Sequence, residues 1–318
     1  MRTMDGAGER NGKFEGVLPV IKPPGMTSHD VVDFMRNLLR MQRIGHAGTL
    51  DVHASGVLVI CIGRATRITN FIIDCDKVYR GEMVLGIRTT TQDSEGEVVS
   101  VSSTEQVCEE AVRSVFKRFC GVISQTPPML SALRHHGKRL YELAREGKVI
   151  ERKMRHVTVK RLELLKFYDE EPKRVLFEVE CSRGTYVRTL VADIGDALGC
   201  GAYLSFLVRT AVGPFSVNDC LTLEEVQKYH ANGNLREFIL SIDQALCFLP
   251  ALPLTHIEAR RAINGAVTSV RAIDILPNIT VGNLVRLYAP GGKFIAVARV
   301  IMGKHGLVCK PECVFPAR

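Results

Sequence analysis

Apolar residues recur at helical spacing at Val31, Phe34, Met35, Leu38 and Leu39. Thr27 or Ser28 can cap such a helix, and Asp30 three residues after Thr27 completes the pattern of a capping box. The polar side carries Arg36 and Arg40 and leads to Arg43, so a basic ridge runs towards the residues that follow. Val57 to Ile62 is an unbroken apolar run, the mark of a buried strand. Val78 to Gly86 alternates instead, with Tyr79, Met83 and Leu85 on one face and Arg80 and Glu82 on the other; Val175, Phe177, Val179 and Cys181 alternate in the same manner. These stretches predict strands of a sheet with one wet face. Val107, Ala111, Val112, Val115, Phe116 and Phe119 predict a helix after Thr104, and a second runs from about Tyr186 to Leu198, closed by Gly199 and Gly201. Strands and helices do not strictly alternate. The class predicted is therefore α+β, with helices around a mixed, mostly antiparallel central sheet, and not a doubly wound fold.

Phe248 to Leu254 contains Pro250 and Pro253, which deny a continuing helix or central strand, and a fresh capping box follows at Thr255 and Glu258. A domain boundary is expected there: a main domain over 14–249, then a smaller unit over 250–318. The second unit holds a short helix ending near Gly265 and strands around Leu284 to Tyr288, Phe294 to Ile301 and Leu307 to Lys310. Residues 1–13 are rich in Gly, Arg, Glu and Asn, and read as a mobile extension. Gly6, Gly8 and Gly12 before Lys13 have the wrong spacing for a phosphate loop.

A chain of 318 residues suits one sizeable domain plus a smaller one. A formal net charge of +8 favours an anionic partner without specifying it. Ten cysteines are scattered singly with no Cys-x-x-Cys pair; Cys309 and Cys313 have a spacing seen in some zinc sites but lack a second pair nearby. They read as reduced, mostly buried thiols of a soluble, cytoplasmic protein with no secretory leader. The apolar runs are far too short to span a bilayer. Asn278-Ile279-Thr280 matches a glycosylation acceptor, without meaning in a cytosol.

The chemistry concentrates in Arg43-Ile44-Gly45-His46-Ala47-Gly48-Thr49-Leu50-Asp51, followed by Ala54 and Gly56. One carboxylate, Asp51, stands on a glycine-marked loop beside a histidine and a basic residue, ahead of the buried strand. On its own, such an aspartate is as compatible with a turn that bonds its own backbone as with nucleophilic work. The order Gly-His-x-Gly-Thr-Leu-Asp-x-x-Ala-x-Gly, however, resembles the catalytic motif of the TruB family of tRNA pseudouridine synthases. Four further blocks match that family in order: Lys22-Pro23-Pro24-Gly25-Met26-Thr27-Ser28; Lys77-Val78-Tyr79 before Leu85-Gly86; Thr126-Pro127-Pro128-Met129 to Gly147; and Cys181-Ser182-Arg183-Gly184-Thr185-Tyr186-Val187-Arg188-Thr189-Leu190. Together they cover roughly residues 16 to 215.

The resemblance implies a pseudouridine synthase catalytic domain with a thumb-like insertion at about 124–152. The tail resembles an RNA-binding PUA domain, with less specific motifs. Pseudouridine formation breaks the bond between uracil N1 and the ribose, turns the base and rejoins it through C5, with no metal and no redox cofactor. The resemblance makes Asp51 the nucleophile, with attack at the ribose C1′ and a glycal route both open. Arg188 is its implied counter-ion, against the ordinary alternative of a salt bridge to Asp193 or Asp196. Tyr79 is expected to stack on the everted uracil and to help remove the C5 proton. His46 is expected to fill the gap left by the extruded base. Lys22, Arg43, Lys77, Arg134 and Tyr186 are assigned to RNA engagement, with His135, His136, Lys138 and Arg139 adding positive charge, and Leu207 to the uracil pocket.

Val52 stands where proline often follows the nucleophile, Leu130 where a tyrosine is frequent, Arg134 where lysine is usual, and Val208 where a second arginine often precedes Arg209. The expected partner is the T-arm of tRNA, with its uridine 55 as target, no obligatory protein partner and a monomer by default. Two alternatives stand beside it. One is the guide-RNA-dependent relative, from which the Ser131 to Tyr141 block and the Ala144-Arg145-Glu146-Gly147 ending differ. The other is a non-catalytic tRNA-folding chaperone, which has no need of Asp51, Tyr79 and Arg188 together.

Overall fold

The computed structural model describes residues 14–131, 133–135, 137–148, 150–269 and 279–315. The 1–13 extension, His136 of the basic segment and Asn278 of the glycosylation-like triplet lie outside the described residues. The chain begins with β1 (Gly16–Lys22), α1 (Ser28–Leu39), β2 (Ile44–Ala47), β3 (Ser55–Ile62), α2 (Thr69–Ile73), β4 (Lys77–Leu85) and the ribbon β5 (Ile87–Thr89) and β6 (Val98–Val101). It continues through α3 (Glu109–Arg118), β7 (Gly121–Gln125), the short pair β8 (Arg134–His135) and β9 (Lys138–Arg139), and α4 (Leu140–Arg145). Then come β10 (Arg155–Tyr168), β11 (Arg174–Cys181), α5 (Val187–Ala197), β12 (Ala202–Val212), β13 (Phe215–Ser216), α6 (Leu223–Ala231) and α7 (Ile242–Ala245). The last stretch holds β14 (Ala251–Pro253), α8 (His256–Ile263), β15 (Leu284–Ala289), β16 (Lys293–Gly303) and β17 (Gly306–Val314).

The central sheet has nine strands in the order β1-β3-β12-β4-β11-β10-β7, with β2 beside β3 and β13 beside β12. All its described pairings are antiparallel except β3 with β12, so the sheet is mixed and mostly antiparallel as expected. The apolar run of β3 is explained by burial on both faces: Leu58, Ile60 and Ile62 pack with Val31, Val32 and Met35 of α1, while Val57, Val59 and Cys61 pack towards α7 and the C-terminal strands. Strand β11 keeps the alternation read from sequence. Val175, Phe177, Val179 and Cys181 pack with residues of α3 and α5, and Glu178 on the wet face bonds Arg80 and Arg161, both at 2.7 Å.

Helix α1 has the capping box at Thr27 and Asp30. Helix α3 starts later than Thr104 implied, at Glu109, because the Thr104 hydroxyl donates to Glu171 (2.5 Å) and its carbonyl closes a turn with the Val107 N–H. Two long strands, β10 and β12, carry two bulges each, and these break the period of two that alternation relies on.

The C-terminal sheet runs β14-β15-β16-β17. Pro253 is tolerated because β14 is an edge strand, paired only with β15. Two sheets meet here in one core: Val297, Cys313 and Phe315 pack with Val17, Ala47, Val57 and Ile242. Polar ties reinforce the junction. Arg67 donates to the Val314 carbonyl (2.6 Å) and lies over the Phe315 ring, and Arg286 bonds Asp243 (2.8 Å) and the Leu249 carbonyl (3.0 Å). Cys309 and Cys313 are both buried but in different cores, so their spacing does not form a chelating pair. Among the described residues, no helix is long and apolar enough to cross a membrane.

Candidate active site

The Asp51 loop is clamped at nearly every residue. On one side it meets the Lys22 to Ser28 segment. The Lys22 ammonium donates to the carbonyls of Pro23 (2.9 Å), Met26 (2.7 Å) and Val52 (3.0 Å), and the Gly25 N–H also reaches Val52 O (2.9 Å). The Ser28 hydroxyl exchanges hydrogen bonds with both polar groups of the Leu50 backbone. On the other side, the wholly buried Arg209 of β12 donates to the carbonyls of Gly48 (2.9 Å), Thr49 (3.4 Å) and, in β3, Val57 (2.8 Å). Leu50 and Ala54 anchor the loop in the core beneath α5. Gly56 makes the close approach of β3 to β12 possible: its φ is +108°, and a Cβ there would stand 2.2 Å from the Arg209 carbonyl oxygen. Rigidity that a proline at position 52 would supply comes here from the two donors on the Val52 carbonyl.

This frame leaves the Asp51 side chain half exposed, at 52%, while its carboxylate accepts from Arg188 Nε at 2.9 Å. Arg188 itself is 7% exposed and sits in the first turn of α5 behind the cap residue Tyr186. Both arms of its fork are engaged as well: one Nη donates to Asp93 (3.3 Å) and the Thr91 carbonyl (3.3 Å), the other to the Leu130 carbonyl (2.9 Å). Asp193 is not its partner, and Asp196 pairs with Arg88 at 2.5 Å. Asp93 was not anticipated from sequence, where it lies in a polar turn-like run. That carboxylate also accepts from the Thr91 hydroxyl and the Glu95 N–H, which holds its loop in shape. A second tie, His53 to Glu95 at 3.2 Å, joins the two loops at the surface.

Tyr79 is partly buried beside Leu50, Ala54 and Leu207, and pairs across β4 and β12 with Arg209. Burial raises its phenol pKa, Arg209 partly offsets this as a neighbouring cation and hydrogen-bond donor, and the charge of Asp51 adds to the rise. Tyr79 is thus a neutral phenol at physiological pH. His46 lies on β2, next to the loop. Burial lowers its pKa, and Arg209 and His29 add to the effect, so the ring is neutral and suited to stacking.

The remaining predicted residues divide. Arg43 is exposed and donates to the Thr66 hydroxyl (3.0 Å), leaving its charge on the surface. Tyr186 caps α5, with its backbone held in both directions by Gln125; burial, followed by other effects including the charge of Asp51, raises its pKa. Leu207 is buried in the core that supports Tyr79. Lys22 and Lys77 differ from the expectation of RNA-facing cations: both are buried, Lys22 on the loop carbonyls and Lys77 on the carbonyls of Ile73 and Cys75. Desolvation lowers both, Lys22 to about 8. Arg134 is in β8 of the thumb-like segment, and its side chain lies outside the described part. Sequence named Arg209 only as the arginine after Val208 and gave it no role; the available signal is a cation on the apolar face of a strand, two residues after Leu207.

A half-exposed carboxylate fixed by a buried guanidinium, on a loop flanked by the strands that carry Tyr79 and His46, is an arrangement able to support nucleophilic or acid–base chemistry. Family comparison agrees. Residues 36–187 match the TruB family pseudouridylate synthase N-terminal domain, and residues 188–247 match the tRNA pseudouridylate synthase B C-terminal domain. The chain is 42% identical over 308 residues to the tRNA pseudouridine synthase B of Pelotomaculum thermopropionicum, covering 95% of this chain and 97% of that protein. It is 45% identical over 263 residues to that of Geobacillus thermodenitrificans, covering 81% and 87%. Among solved structures, the Cbf5-Nop10-Gar1 complex contains a chain that superposes with a TM-score of 0.74 at 29% identity, covering 95% of this chain and 85% of that one. A chain from the archaeal box H/ACA sRNP Nop10-Cbf5 complex superposes at 0.70 and 27% identity, covering 96% and 87%. The chain belongs to the TruB family of pseudouridylate synthases.

Proposed function

We propose that this protein isomerises uridine to pseudouridine in tRNA, at position 55 of the T-loop, without a guide RNA. The single observation that carries the reading is the Asp51–Arg188 pair at 2.9 Å, with Tyr79 beside it, at the centre of a chain that matches stand-alone tRNA enzymes over nearly all its length. Asp51 acts at the ribose of an everted uridine, by attack on C1′ or by taking the 2′ proton on the glycal route; on both routes the adjacent guanidinium orients the carboxylate. The N1–C1′ bond breaks, the uracil anion turns, and C5 joins C1′. The C5 proton then leaves and N1 gains one. As a neutral phenol, Tyr79 accepts the C5 proton only while passing on its own to the freed Asp51 carboxylate, which releases it to solvent as N1 takes one up, so that the enzyme is restored. His46 takes the place of the everted base in the loop stack.

We assign residues 250–318 to contact with the same tRNA as a PUA-like unit, the 124–152 segment to a thumb over the T-arm, and the working form to a cytoplasmic monomer. The test is a tRNA transcript incubated with purified protein alone, followed by base-resolution mapping of pseudouridine. Product at T-loop position 55 is expected. Product only when a guide RNA is added would transfer the assignment to the guided reading, and binding without product under either condition would transfer it to the chaperone.

A further inference from the structure

Three cations are buried around the Asp51 loop: Lys22 on β1, Lys77 on β4 and Arg209 on β12. Among the described residues none of the three is ion-paired, and each donates to backbone carbonyls instead. Buried cations are ordinarily matched by a carboxylate, because a full charge away from water is costly. The two amines have a way out. Burial lowers both pKa values, Lys22 to about 8 against the pull of Asp51, and the charge of Arg209 adds to the fall in each. A guanidinium has no such way out, since it does not deprotonate in proteins. Arg209 therefore leaves a fixed positive charge inside the site. Holding carbonyls does not require that charge: the neutral Ser28 hydroxyl donates to the Leu50 carbonyl of the same loop. Beside the charge stands Tyr79, the register partner of Arg209 across β4 and β12 and hence on the same face of the sheet. Arg209 counters the effect of burial on the phenol, through space and by a hydrogen bond. Nothing else around the phenol does so: His46 is neutral, burial pushes the Cys181 thiol up to about 11, and Asp51 adds negative charge.

We propose that Arg209 is a positioning residue for the isomerisation: its buried charge, matched by no carboxylate, acts through Tyr79 and lowers the barrier to passing the C5 proton through the phenol. The proposal deepens the tRNA pseudouridylation reading and rests on it. In that step the C5–H bond breaks and its proton joins the phenol oxygen, while the phenol's own proton passes to the Asp51 carboxylate and from there to solvent. Whenever the second transfer runs ahead of the first, the phenol oxygen carries negative charge. Packed beside Leu50, Ala54 and Leu207, it has little water to spread that charge. A cation fixed at the facing register position is in place before the charge develops, so no reorganisation is needed when it does. The same guanidinium holds the Gly48 and Thr49 carbonyls, and so keeps the loop of the proton acceptor in register with the donor.

The experiment measures kcat and KM on a tRNA transcript for wild type and Arg209→Gln, each with and without Tyr79→fluorotyrosine, whose phenol is more acidic. Arg209→Gln lowers kcat about tenfold or more, the effect of a neighbouring charge on an acid, with KM held within about twofold because Arg209 is wholly buried. Adding Tyr79→fluorotyrosine to Arg209→Gln recovers most of that loss, since fluorine restores the acidity that the cation supplied. A residue that only holds the fold gives no such recovery. Should Arg209→Gln not fold, Arg209→Lys takes its place: it keeps a charge but loses the fork, so kcat falls less and the acidic phenol again recovers the fall. A loss carried by KM, or a fall in kcat that fluorotyrosine leaves unrecovered, would overturn the proposal while leaving the function intact. Absence of product from the wild-type protein would overturn both.

Discussion

Replacing Arg188 by lysine keeps a positive charge at the same place and removes the planar fork, so it separates orientation from charge. In the wild-type protein one guanidinium spans Asp51 (2.9 Å), Asp93 (3.3 Å) and the carbonyls of Thr91 and Leu130. An ammonium on a shorter reach satisfies one carboxylate at most. A hydrogen bond to a charged group contributes about 1.5–3 kcal/mol, so freeing Asp51 to rotate removes about 3 kcal/mol from the reacting geometry. At 1.36 kcal/mol per tenfold in rate, Arg188→Lys slows the chemical step by roughly two orders of magnitude. Single-turnover release of tritium from RNA labelled at uridine C5 measures that step, and filter binding measures affinity, which stays within about threefold because Arg188 is buried away from solvent. The unpaired Leu130 and Thr91 carbonyls lower stability by about 1–2 kcal/mol, visible as a modest fall in melting temperature. Tritium release within threefold of wild type would refute the reasoning and reduce Arg188 to a structural residue.

Gly56→Ala places a Cβ 2.2 Å from the Arg209 carbonyl in a left-handed backbone, so the β3–β12 junction must open. The expected loss is about 3 kcal/mol or more, read as a drop of roughly 10 °C in melting temperature, whereas Gly45→Ala, with open space around it, stays close to wild type. Equal melting of the two variants would contradict the packing described. Asp193→Asn tests a linkage: the folded carboxyl titrates near 6 and the unfolded one near 3.8, so the folded state binds more protons between these values and its stability falls as pH rises through that window. Above pH 7 the variant is therefore more stable than wild type by about 1–2 kcal/mol, after allowing for solvent screening, and the gain vanishes below pH 4. Denaturant melts at pH 3.5 and 7.5 check this, and a gain of the same size at both values would show that charge is not its cause.

The candidate site was largely legible because its residues sit in short motifs of unusual composition, and the structure sets Asp51 against Arg188, with Tyr79 and His46 on the strands that flank the loop. What escaped was set by tertiary context. Asp93 looks like a hairpin-tip aspartate, and only the fold carries it to Arg188. Lys22 and Lys77 look like surface cations in a basic protein, yet both ammonium groups turn inward onto backbone carbonyls, a satisfaction of loop acceptors that spacing does not reveal. Among the elements, α1 and α5 lie where periodicity and caps put them, and β11 keeps its alternation. Strands β10 and β12 were hidden by bulges that shift their faces midway. The proline pair at 250 and 253 marks the turn to a second sheet, but Phe315 and Cys313 return into the first core, a contact between distant segments that no local pattern encodes.

The most direct test of the account is Asp51→Asn, assayed on a tRNA transcript for both pseudouridine at T-loop position 55 and binding affinity. The substitution keeps the shape of the side chain and removes the charge that Arg188 holds. The account predicts no detectable product with affinity unchanged to within a few-fold. Product formed at a rate near wild type, or activity and affinity lost to the same degree, would contradict it.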